Sequence, residues 1–169
     1  SLLESHVVVA QLKFPYVPGL LSFREAPALL RAFAKLEKIP DVVLCDGQGL
    51  AHPRRLGLAS HLGLWLRIPT IGCAKSRLCG EHRMPARTRG SRTKLVHQAE
   101  LVGTVVRTRD DVRPLYVSVG NLCTLADAVR LTLACSVGYR MPEPTRLADR
   151  IVAKARKDFQ NRSPKKRPR

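Results

Sequence analysis

At 169 residues and 18.8 kDa, the chain is long enough for one domain with a core and short for two. Thirty Lys and Arg against 13 Asp and Glu leave a net charge of +17 and a pI near 10.7, which points to an anionic partner, nucleic acid before membrane. With 44% hydrophobic residues the chain should fold, no apolar run approaches the roughly 18–20 residues of a membrane span, and Ser1–Ala10, with Glu4 and His6 and no basic leader, is not expected to be a signal peptide.

His6–Lys13 is β-rich and reads as a strand. Pro15, Pro18 and Gly19 then specify a stiff loop. Leu29, Leu30, Phe33 and Leu36 recur at helical spacing, so a helix is expected over 26–38, starting near Pro27. Asp41–Asp46 is a short apolar run ending in a carboxylate, the pattern of a buried parallel strand. A glycine-rich loop follows over 47–55, and then a largely buried helix over 56–66 and a short strand over 69–73. Glu81–Lys94 is basic and aperiodic, as in an exposed loop. Leu101–Arg107 and Pro114–Val119 read as strands joined by a turn at Asp110-Asp111. Thr124 is the expected N-cap of a helix to Val137, and a last helix is expected over 145–157. Strands alternating with helices imply an α/β sheet. From Arg150 onward the chain is strongly basic, and Ser163–Arg169 is expected to be disordered.

Cys45, Cys73, Cys79, Cys123 and Cys135 form no C-x-x-C pair, which argues for reduced, mostly buried thiols and against a zinc site. At 5% aromatic residues, a base-stacking surface is poorly supported. Asp46 is the most informative carboxylate: at the end of a buried strand it must be solvated, paired or metal-bound, although an Asp before Gly also simply turns the chain. Glu25 falls at the expected helix start, where a carboxylate is favoured for the helix alone. Asp149 lies between Arg146 and Arg150, as on a solvated face. His52 and Lys75 are placed to contact a phosphate, or only loop backbone and solvent. Arg54 and Arg55 have the same two readings. His61 reads as a satisfied core histidine. Tyr16, between two prolines, suits either a wedge inserted between bases or a loop anchor.

Taken together and in order, five segments resemble the endonuclease V family: Pro15–Leu30, Asp41–Gly63, Pro69–Gly80, Pro114–Gly120 and Tyr139–Asp149. The resemblance covers most of the chain, from about Pro15 to Asp149. It implies a ribonuclease H-like mixed sheet flanked by helices over residues 1–149, with a basic helix end and tail over 150–169. It also implies Mg²⁺-dependent hydrolysis of a phosphodiester 3′ to inosine in DNA or RNA, with Mn²⁺ as a substitute. By this resemblance Asp46 and Glu25 are metal ligands, Lys75 contacts the cleavage-site phosphate and Asp149 is a further catalytic group near the metal. Pro15, Tyr16, Val17 and Pro18 resemble the strand-separating wedge. Gly19, Leu21, Gly47, His52 and Gly57 resemble the pocket for the flipped hypoxanthine, whose donor and acceptor pattern fixed backbone amides can read.

Two departures follow from the same resemblance. No Asp precedes Asp41, and the chain opens on what resembles the family's third strand, so the first hairpin and one carboxylate ligand are expected to be missing; Glu4 is a poor substitute. Asn121 stands where many members have His. The leading expectation is a metal-dependent inosine endonuclease, monomeric and cytoplasmic, or nuclear if the tail is an import signal. The alternatives are a non-catalytic binder of inosine-containing nucleic acid and a basic chromatin- or RNA-associated protein that binds through its tail.

Overall fold

The structure, a computed structural model, describes residues 2–11, 14, 15, 17 and 19–162, the side chain of Arg162 excepted. Leu12 and Lys13 of the expected first strand, Tyr16 and Pro18 of the expected wedge, and the Ser163–Arg169 tail lie outside the described residues. The elements are α1 (Leu21–Phe33), β1 (Val43–Cys45), α2 (Leu58–Leu66), β2 (Thr70–Ala74), β3 (Arg92–His97), β4 (Glu100–Val106), β5 (Leu115–Asn121), α3 (Leu125–Cys135) and α4 (Glu143–Arg162). The strands form one mixed sheet in the order β1-β2-β5-β4-β3. β1 and β2 are parallel, and the remaining pairs are antiparallel.

Alternation along the strands gives the sheet two buried faces. Ile71, Cys73, Val106, Leu115 and Val117 pack with Ala128 and Val129 of α3 on one. On the other, Cys45 meets Leu58, Ala59 and Leu62 of α2, with Ala26 of α1 behind them. β2 is buried at every residue, as a central strand covered on both sides must be. α3 begins as expected: the Thr124 hydroxyl accepts from the Asp127 N–H at 3.1 Å. Thr124→Ala should therefore cost about 1 kcal/mol in urea unfolding.

Four expected elements are corrected. Gln11 and the residues before it back to His6 form no strand; β-propensity becomes a strand only where a partner offers a ladder, and none pairs with them among the described residues. The first helix starts at Leu21 rather than near Pro27, which sits inside it. That placement deprives the Phe23 carbonyl of its helical donor, a cost of the order of 3 kcal/mol. Packing of Ala26 and Leu30 against α2 offsets it. Glu25 is therefore a mid-helix residue and not a helix-start charge. The expected 81–94 loop gives way to β3 at Arg92, and Glu81 bridges Val96. The last helix begins at Glu143 and runs to Arg162.

All five cysteines are free, but only Cys45 and Cys73 are fully buried. Burial pushes both thiols up to about 12, so they stay protonated. Part of the positive charge is structural: buried Arg107 donates to the Pro85, Ala86 and Val112 carbonyls, and Arg89 donates to the Leu133 carbonyl at the end of α3. Glu4 accepts from the Glu37 and Lys38 amides and pairs with His6 at 3.0 Å. Among the described residues no helix is long and apolar enough to cross a membrane.

Candidate active site

Because β1 and β2 are parallel, their carboxyl ends lie on the same side of the sheet. Asp46 is the first residue past β1 and Lys75 the first past β2. Asp46 is held in a tight turn closed by the Gly47 N–H on the Cys45 carbonyl at 3.0 Å. The Lys75 ammonium donates to Asp46 Oδ2 at 2.5 Å and to Asp149 Oδ2, from α4, at 2.8 Å. These two hydrogen bonds, that to Asp149 first, raise the Lys75 pKa. All three side chains are partly exposed, so the pairing contributes little to stability. Asp149 is thus not a merely solvated charge.

Glu25 completes the acidic cluster from α1. It lines one cavity of about 560 Å³ together with Asp46 and Asp149. Burial raises its pKa, and the negative charge of Asp46 raises it further against the lowering effect of Arg24. Two carboxylates that face one cavity and repel each other could share a cation. Among the described residues no group of three or more His, Cys, Asp or Glu side chains is gathered tightly enough to hold an ion.

A second cleft of about 410 Å³ opens on the other side of Asp46, within the roughly 300–1,000 Å³ range of ligand pockets. Leu21, Gly47, His52 and Gly57 line it, and so do Asp46 and Lys75. The fifth expected pocket residue, Gly19, adopts φ +78° in the turn before α1, and a Cβ there would stand 3.9 Å from His52 Nε2. Pro15 and Val17 precede that turn, in which the Leu20 N–H donates to the Val17 carbonyl at 2.9 Å.

His52 is buried and serves its own loop: Nδ1 accepts from the Arg54 N–H at 3.1 Å. Arg55 is likewise spent on the fold, donating to Glu100 and to the His52 and His97 carbonyls. Asn121 donates to the Gly63 carbonyl at 2.9 Å, a strut between β5 and α2. His61 is not the satisfied core residue expected: its buried Nδ1 has no partner among the described residues, and its ring stands edge-on to Phe23 with centroids 4.8 Å apart. Burial lowers the pKa of both His52 and His61 from 6.5. The unfolded chain therefore takes up more protons as pH falls through about 6.5, and stability drops in that direction. The thermal midpoint should be lower at pH 5.5 than at pH 7.5, and His61→Leu should flatten the slope.

Sequence reasoning missed two residues beside the site. Gln48 donates from Nε2 to the Ser76 carbonyl at 2.8 Å. Arg140 donates from Nη2 to the Lys75 carbonyl at 2.5 Å and to the Pro114 carbonyl at 2.8 Å. The only signal for either was its place inside a segment already singled out.

Comparison with known proteins identifies relatives over most of the chain. The family model for Endonuclease V matches residues 1–150. The Endonuclease V of a Nostoc species is 52% identical over 153 residues, covering 90% of this chain and 69% of that protein. Among solved structures, the Endonuclease V from Streptomyces avermitilis is 46% identical with a TM-score of 0.84, covering 89% of this chain and 66% of that one. The Ciona intestinalis Endonuclease V, solved in complex with a 23mer DNA containing an inosine followed by a ribo-adenosine, is 27% identical with a TM-score of 0.75, covering 88% of this chain and 70% of that one. The chain therefore spans about two thirds of the length of the proteins it matches.

Proposed function

The chain belongs to the Endonuclease V family, and from that premise we propose that it binds inosine-containing nucleic acid and hydrolyses a phosphodiester on the 3′ side of the inosine with Mg²⁺. The observation that carries this reading is the convergence of Asp46, Glu25, Asp149 and Lys75 beside a cleft lined by Leu21, Gly47, His52 and Gly57. The cleft suits an extruded base. The charged cluster next to it suits the phosphate chemistry.

The donor set fits the metal. All candidate ligands are carboxylate oxygens, and Mg²⁺ keeps several waters, so Asp46 and Glu25 suffice to anchor it. When bound, Mg²⁺ polarises a phosphate oxygen and lowers the pKa of a coordinated water. The residues supply the rest. Asp46 and Glu25 hold the cation's charge at the strand ends. Lys75, drawn between two carboxylates, is a point charge on a flexible stem suited to a phosphate oxygen. Asp149 keeps that ammonium at the site. Gly47 and Gly57 let backbone amides approach the base without a side chain in between.

One observation favours a second reading, selective binding without cleavage: no described group of three metal-holding side chains is present. Strand cleavage separates the two. An end-labelled strand with one inosine should be nicked with Mg²⁺ or Mn²⁺, spared in EDTA, and left intact without inosine. Inosine-selective retention with no nicking would favour the second reading. Affinity should in either case fall with rising salt, to the extent that the basic side chains neutralise phosphates. Binding that ignores inosine and vanishes when Arg150–Arg169 is deleted would leave only a general basic binder.

A further inference from the structure

Lys75 lies past the last ladder residue of β2, where the sheet no longer fixes the backbone. Its own carbonyl and the next one are nevertheless both taken by side chains from elsewhere: Arg140 Nη2 holds Lys75 O at 2.5 Å, and Gln48 Nε2 holds Ser76 O at 2.8 Å. Arg140 also ties that point to Pro114 O, just before β5.

Both clamping residues are themselves anchored. The Arg140 carbonyl accepts from Thr108 Oγ1 at 2.6 Å, and the chain continues into buried Met141 and Pro142. The Gln48 carbonyl accepts from the Ala59 N–H at 2.9 Å. A Cβ at Gly57 would fall 2.6 Å from the Gln48 carbonyl carbon, so its backbone is held against glycine on that side.

Both also carry an uncompensated group. Among the described residues, the buried Gln48 Oε1 and Arg140 Nε have no hydrogen-bond partner. Such a group costs about 1–3 kcal/mol, so neither residue is the choice stability alone would make. Gln48 is two residues past Asp46 and Ser76 is one past Lys75, so the Gln48–Ser76 bond closes a short ring with the Lys75–Asp46 ion pair. A flexible lysine stem reaches a defined point only if its backbone is fixed.

We propose that Gln48 and Arg140 are positioning residues for Lys75, which together lock its backbone so that the ammonium stands between Asp46 and Asp149. The inference rests on the reading of this cluster as the nuclease site, but its test does not need nicking. The rate at which an amine-reactive ester labels Lys75 is measured by mass spectrometry against exposed Lys94 in the same chain. Gln48→Met keeps the size of the side chain and removes the orphan oxygen, so the fold should persist with an unchanged or higher thermal midpoint.

Labelling of Lys75 relative to Lys94 should rise several-fold in Gln48→Met and in Arg140→Met, and Arg140→Lys should recover part of the protection. In the nicking assay kcat should fall roughly 10- to 100-fold with KM unchanged, the pattern of a misplaced group. Equal labelling in wild type and both Met variants overturns the clamp. If a Met variant unfolds, Gln48→Asn, too short to reach Ser76, gives the same comparison. Absence of nicking by the wild-type chain would overturn the functional reading and leave the labelling to decide the clamp. Nicking with unchanged labelling would do the reverse.

Discussion

Asp46→Asn is expected to reduce nicking by roughly 10³-fold or more while inosine-strand retention on a gel persists. The substitution keeps the size of the side chain and its place in the tight turn. What it removes is the charge that raises the pKa of Glu25 and helps hold the Lys75 ammonium. Lys75 keeps its bond to Asp149, so the local fold has no reason to open. Retention should therefore survive, because Asp46 is one lining residue of the cleft among several, and Leu21, Gly47, His52 and Gly57 keep their places when its charge is removed. The measurement is a single-turnover rate beside a retention assay on the same preparation. A rate within tenfold of wild type would remove Asp46 from the chemistry.

A large effect on stability is expected at Gly72, in the middle of β2. It pairs with Cys45 on one side and Ser118 on the other. A Cβ there would stand 2.7 Å from both the Gln48 carbonyl carbon and the Gly47 oxygen, and closer still to the Gly49 nitrogen. All three are backbone atoms of the loop that carries Asp46, so no flexible side-chain end can give way. Gly72→Ala should cost about 3 kcal/mol or more. For a chain of this size that lowers the thermal midpoint by about 6–12 °C. Whatever fraction folds should also nick poorly, since the clash falls on Gly47–Gly49, directly after Asp46. An unchanged midpoint would mean the loop packs less tightly on β2 than described.

Much of this arrangement was legible in the residues. β1 and β2 announced themselves as short apolar runs; the first ends in Asp46, and Lys75 lies just past the second. Thr124 named its helix start through a hydroxyl three residues before Asp127. The errors have physical causes. Pro27 is usually a helix opener, and local rules do not show that α2 would hold Ala26 and Leu30 firmly enough to carry a proline mid-helix. β3 is the sheet's far edge, where only Leu95 is buried, and its exposed Arg92 and Lys94 made a strand read as a loop. His6–Gln11 has strand composition without a strand partner among the described residues.

The site divided along the same line. Asp46 and Lys75 could be found from strand ends. Glu25 and Asp149 sit on separate helices, and only tertiary packing brings them to one cavity, so they were visible through family resemblance and not through spacing. Gln48, between two glycines, reads as part of a turn, and Arg140 as one more surface charge among 30 Lys and Arg. Their shared target, two consecutive carbonyls beside Lys75, exists only in the folded chain.

The measurement that bears most directly on the account maps the cut at single-nucleotide resolution in a strand with one inosine, for wild type and Asp46→Asn, with Mg²⁺ and with EDTA. The account requires one wild-type product, cut at a fixed position on the 3′ side of the inosine, absent in EDTA and depleted at least roughly 10³-fold in Asp46→Asn. Cutting that survives EDTA, ignores the inosine or persists undiminished in Asp46→Asn would contradict it.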